Sequence, residues 1–133
     1  MASALAVQNI QKPRLLIVED EPFILLTLED MLSDLGCTVA GSVTRVSEAL
    51  DFIERESIDG ALLDVNLGHQ KIDPVADRLA ALGQPFIFTT GYGPSGVPPT
   101  HNQRPVLQKP FRMDDLAKIL RAEFKLDLIT LDS

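Results

Sequence analysis

Cysteine, tryptophan and tyrosine are nearly missing: among 133 residues there is one Cys, no Trp and one Tyr, and aromatics make up only 5%. The lone Cys37 can neither close an internal disulfide nor build a Cys-rich zinc site. That excludes a disulfide-stapled secreted scaffold and points to a reducing, cytoplasmic compartment. Positive charge is also short. Twelve Lys+Arg against nineteen Asp+Glu leave a net charge of −7, a field that repels nucleic-acid backbones and anionic lipid, so no nucleic-acid or membrane partner is expected. No apolar run approaches the roughly 20 residues of a membrane-spanning helix. The stretch Met1–Lys12 lacks a basic segment ahead of its short apolar run Ala4–Val7 and so fails the signal-peptide pattern. What is present is aliphatic: 45% hydrophobic residues and 23% charged ones describe one soluble domain with a real core.

Short apolar runs alternate with longer amphipathic stretches, each switch marked by Gly, Pro or Asp. Arg14–Val18, Cys37–Ala40, Gly60–Asp64, Pro85–Thr89 and Val106–Gln108 read as five strands. Between them, Pro22 opens a helix with Ile24, Leu28, Met31, Leu32 and Leu35 at helical spacing, closed by Gly36. Thr44 can cap a second helix with the stripe Val46, Ala49, Leu50 and Ile53. Asp73-Pro74 opens a third, and Met113, Leu116, Ala117, Leu120 and Phe124 mark the last. Gly91 to Pro105, rich in Gly and Pro, predicts a loop without a stable helix, mobile until it is engaged. Strands alternating with helices imply a parallel sheet covered on both faces, with ligands beyond the carboxyl ends of the strands. Residues 1–12 are expected to form a flexible N-terminus, 13–125 the domain, and 126–133 a tail too short to be an effector.

The predicted strand ends carry Glu19-Asp20-Glu21, Asp64, Thr89-Thr90-Gly91 and Lys109-Pro110. Taken singly, an acid after a strand is a helix cap or a solvated loop residue, and Glu21 and Asp73 are assigned so. Convergence of Glu19, Asp20 and Asp64 is another matter, because carboxylates held together raise one another's pKa. A hard divalent cation relieves that repulsion, and oxygen ligands without His or Cys favour Mg²⁺ over zinc. A nucleotide or flavin site fits poorly, since Glu-Asp-Glu-Pro repels a bare phosphate and Pro22 offers no N–H. The loop histidines His69 and His101 are expected to be solvated.

The order Val18-Glu19-Asp20, Leu62-Leu63-Asp64, Thr90-Gly91 and Lys109-Pro110-Phe111 resembles the receiver domain of two-component response regulators. The resemblance implies a doubly wound five-stranded parallel sheet, the flavodoxin-like receiver fold, here with the fourth helix short or absent. It implies that Asp64 accepts a phosphoryl group from a histidine kinase or phosphotransfer protein. It further implies that Glu19, Asp20, the Asp64 side chain and the Asn66 backbone carbonyl hold Mg²⁺, that Thr90 bonds the acyl phosphate, that Lys109 pairs with it, and that Pro110 follows a cis peptide. Such a domain is a phosphoacceptor rather than a turnover enzyme. Two features depart from the usual pattern: Glu19 replaces an aspartate, and Val106 stands where the aromatic switch residue belongs. Instead Pro85 to Tyr92 is similar to the signature of the FATGUY group of single-domain receivers, with Thr89 in place of its Ala and Tyr92 as switch candidate. That group implies a kinase of the HWE or HisKA-2 type. The expected role is a phosphate drain or feedback regulator; the alternative is an adaptor whose phosphorylated surface binds a separate downstream target.

Overall fold

The computed structural model describes residues 12–91, 93 and 96–124. Its five strands, β1 (Arg14–Val18), β2 (Thr38–Val43), β3 (Gly60–Asp64), β4 (Phe86–Thr90) and β5 (Val106–Gln108), form one parallel sheet in the order β2-β1-β3-β4-β5. Four helices connect or follow them: α1 (Pro22–Asp34), α2 (Val46–Arg55), α3 (Asp73–Ala81) and α4 (Met113–Phe124). Strand order reverses at β1 and β3, which opens the crevice where ligands of such sheets bind.

Period-two alternation divides the strands between two cores. Leu15, Ile17, Leu62, Ile87 and Leu107 pack against Leu28 and Leu32 of α1 and Leu116, Ala117 and Leu120 of α4. Leu16, Val18, Leu63, Phe86 and Phe88 meet Ala49 and Ile53 of α2 and Val75, Ala76 and Leu79 of α3. Both faces are thus covered, which is why the central strands read as continuous apolar runs.

Cys37 lies in the α1/α4 core and is buried. Burial pushes its thiol up to about 11 from 9.0. At pH 8 this cuts the thiolate fraction roughly 100-fold, so native protein should alkylate about 100-fold more slowly than unfolded protein. A folded-state rate equal to the unfolded one would contradict the burial.

Three sequence expectations need correction. β2 runs to Val43 rather than ending at Ala40; it is an edge strand with every residue half-buried, so it shows no clean apolar run. Thr44 does not cap α2: Arg45 stands at that position, and Thr44 instead uses its N–H and hydroxyl on Glu48 Oε1 (3.2 and 3.3 Å). His101 is not solvated, because it sits 2.7 Å from Asp77 Oδ1 and edge-on to the Phe86 ring. Between β4 and β5 the described residues hold only a single 3-10 turn, Pro99–His101. Pro99 is tolerated there because the first turn needs no N–H from it. Tyr92 and the terminal segments 1–11 and 125–133 lie outside the described residues.

Candidate functional site

Alternation carries past the apolar residues to the carboxyl ends of the strands. Because Ile17, Leu62, Ile87 and Leu107 share one face, the residues two positions on share it as well: Glu19 after β1, Asp64 on β3, Thr89 on β4 and Lys109 after β5. Four strands thereby deliver two carboxylates, a hydroxyl and an ammonium to one rim. Thr90 is fully buried and by the same alternation lies on the face of Phe88. Its carbonyl accepts the Lys109 N–H at 2.8 Å.

Lys109 Nζ stands 3.2 Å from Glu19 Oε1 and 3.4 Å from Asp64 Oδ2. Glu19 is fully buried and Asp64 is 1% exposed, so one ammonium serves two buried carboxylates. Glu19 Oε1 is close enough for an ion pair but has no hydrogen-bond donor in line with it among the described residues. Glu19 Oε2 accepts the Glu21 N–H at 3.1 Å, and Asp64 Oδ1 accepts the Asn66 N–H at 2.9 Å. The second of these bonds draws the Asn66 backbone to the site.

Charge is unbalanced here. Burial first, and then hydrogen bonding by Asp64 and its like charge, push the Glu19 carboxyl up to about 7 from 4.5, against the opposing pull of the Glu21 N–H and Lys109. The folded state thus binds a proton more tightly than the unfolded chain, so the metal-free fold loses stability as pH rises from about 4.5 toward about 7. For Lys109, burial alone lowers the pKa; the charges of Asp64 and Glu19 outweigh it and raise it.

Glu19, Asp20 and Asp64 each offer an oxygen, all within 4.8 Å of one another, with Asp20 exposed and the other two buried. An all-oxygen set with surplus negative charge and a buried carboxylate oxygen lacking a donor fits a hard divalent cation. The turn Leu67-Gly68-His69-Gln70, closed by Gln70 N–H to Leu67 O at 2.9 Å, borders this set. Gly68 takes φ +58 there, with Asp20 Oδ2 3.9 Å from where a Cβ would stand.

The family model of the response regulator receiver domain matches residues 15–121. The chain belongs to the response regulator receiver family. Among solved relatives, this receiver is similar to SdrG from Sphingomonas melonis Fr1: 48% identity, 86% of this chain, 98% of that chain and a TM-score of 0.77. The BeF3-activated conformation of SdrG from Pseudomonas melonis Fr1 is similar at 49% identity over 82% of this chain and 93% of that one, with a TM-score of 0.72. The phyllosphere-induced regulator PhyR of Methylorubrum extorquens is 36% identical over 81 residues, which cover 59% of this chain and 30% of that protein. The receiver therefore spans under a third of that curated relative.

Of the residues singled out in the sequence, Glu19, Asp20, Asp64, Asn66 and Lys109 converge, and the Lys109–Pro110 peptide is cis. The sequence motifs give Thr89 no role. The signal that finds it is alternation on β4, which puts Thr89 rather than Thr90 on the Asp64 face. No described helix is long and apolar enough to cross a membrane.

Proposed function

We propose that this receiver accepts a phosphoryl group on Asp64 from a histidine kinase or phosphotransfer protein, in a reaction assisted by Mg²⁺, and acts as a phosphate drain or feedback regulator. The observation that carries the reading is Lys109 Nζ 3.4 Å from Asp64 Oδ2 beside three converging carboxylates. Phosphoryl transfer demands little beyond a positioned nucleophile and charge stabilisation on the equatorial oxygens. Asp64 supplies the nucleophilic oxygen, and the Asn66 N–H on Oδ1 holds its carboxylate in one orientation. Lys109 neutralises charge on the incoming group, a point-charge role suited to an ammonium. Glu19, Asp20 and Asp64, with the Asn66 carbonyl, would hold the cation, which supplies further charge neutralisation when bound. Thr90, the last residue of β4 and one position past Thr89, is proposed as the hydroxyl that bonds the phosphoryl oxygens beyond the strand end. Support comes from SdrG, solved in a BeF3-activated conformation; beryllofluoride on a carboxylate imitates an acyl phosphate. An HWE or HisKA-2 kinase is the proposed donor.

Labelling by a small acyl phosphodonor tests the chemistry. The label should be hydroxylamine-labile, map to Asp64 and vanish with chelator; label elsewhere, or label indifferent to chelator, overturns the reading. The role is tested in cells: deleting the chain should raise phosphorylation of a competing regulator, and Asp64→Ala should reproduce this. A regulator whose phosphorylation stays unchanged replaces the drain with an adaptor.

A further inference from the structure

Thr89 is 1% exposed, and its Oγ1 has no hydrogen-bond partner among the described residues. A buried hydroxyl left unpaired is costly, whereas a valine of the same shape carries no such cost. In register, Thr89 pairs with Asp64 on β3 and with Leu107 on β5. Lys109 begins two residues beyond Leu107, yet its ammonium contacts Asp64 and, farther on, Glu19 after β1. With strands spaced about 4.8 Å apart, the lysine side chain must extend across β4, and it does so on the face to which Thr89 belongs.

Glu19 is claimed twice, by the Lys109 ammonium in this structure and by the cation that the carboxylates fit. A divalent ion there repels the ammonium, which must draw back toward β4. We infer that Thr89 Oγ1 is the acceptor onto which the Lys109 ammonium withdraws when a divalent cation takes Glu19, which makes Thr89 a positioning residue for Lys109. The inference rests on the metal-site reading above. It accounts for an unpaired hydroxyl in one state by a bond made in the other, with Lys109 keeping Asp64 as its second partner.

The test compares wild type, Thr89→Val and Thr89→Ser, each titrated with Mg²⁺ alone, with the Lys109 ε-methylene resonances and thermal unfolding in chelator as readouts. Thr89→Val should bind Mg²⁺ about tenfold more weakly, since a hydrogen bond to a charged group is lost only in the metal state. Its Lys109 signals should fail to follow the wild-type shift, and its melting temperature in chelator should be unchanged or higher. Thr89→Ser should restore both the affinity and the shift. Wild-type affinity and shift in Thr89→Val, a serine variant that behaves like valine, or a lower melting temperature of Thr89→Val in chelator would each overturn the inference. Wild type that binds no Mg²⁺ would remove the metal-site reading and this inference with it. Wild-type binding with an indifferent valine removes only the inference.

Discussion

Asp64→Asn is expected to lose phosphoryl labelling, by more than about a hundredfold, while the metal-free fold gains about 1 kcal/mol. The amide cannot attack phosphorus as a carboxylate does, so the loss follows from the nucleophile alone. Stability moves the other way because Asp64 and Glu19 are both buried and share one ammonium. Removing one charge ends their repulsion and leaves Lys109 to Glu19. The Asn66 N–H keeps an acceptor, since the asparagine side-chain carbonyl can replace Oδ1. For a domain of this size the gain corresponds to roughly 4 °C in melting temperature. Labelling equal to wild type would sink the assignment of Asp64, and a clear fall in melting temperature in chelator would sink the like-charge account.

The second large effect is expected for Lys109→Met, which keeps most of the side chain's apolar bulk and deletes the charge. Glu19 and Asp64 then face each other without a cation. Breaking a fully buried pair costs about 3–5 kcal/mol; Lys109 is 14% exposed, and the expected loss at pH 8 is nearer 2 kcal/mol. The sign of the pH dependence follows from Glu19, already raised to about 7 with Lys109 present. Without the ammonium it takes up a proton more readily, so the penalty shrinks toward pH 6 and is largest above the Glu19 pKa. Saturating Mg²⁺ should recover most of the loss, because the cation binds the folded state alone. Mg²⁺ affinity itself should hold or rise, since the competing ammonium is gone, while labelling of Asp64 falls. Denaturant unfolding at pH 6 and pH 8, with and without Mg²⁺, checks this. A penalty that is the same at both pH values, or that ignores Mg²⁺, would contradict the arrangement.

The sequence by itself determined the parts whose physics is local. β1 and β3 have the bounds their apolar runs announce, because a strand buried on both faces stays apolar until an acid ends it; β5, an edge strand with Gln108 exposed, is bounded instead by Pro105 and Lys109. α1 starts at Pro22, where a missing N–H costs nothing. The acid cluster and Lys109 were legible for the same reason: charged residues directly after buried strands have few places to go except a shared rim. The tertiary structure alone decided the rest. β2 is an edge strand, half-buried along its length, so its sequence carries no strong period. His101 owes its burial to Asp77, 24 positions away, and to Phe86, none of which is visible from its own neighbours. Which of Thr89 and Thr90 faces Asp64 depends on the register Asp64↔Thr89, and a shift of one residue would exchange them. The bridging of Glu19 and Asp64 by one ammonium exists because the strand order β1-β3-β4-β5 lets a side chain rooted after β5 reach across β4, a distance set by strand spacing rather than by any motif.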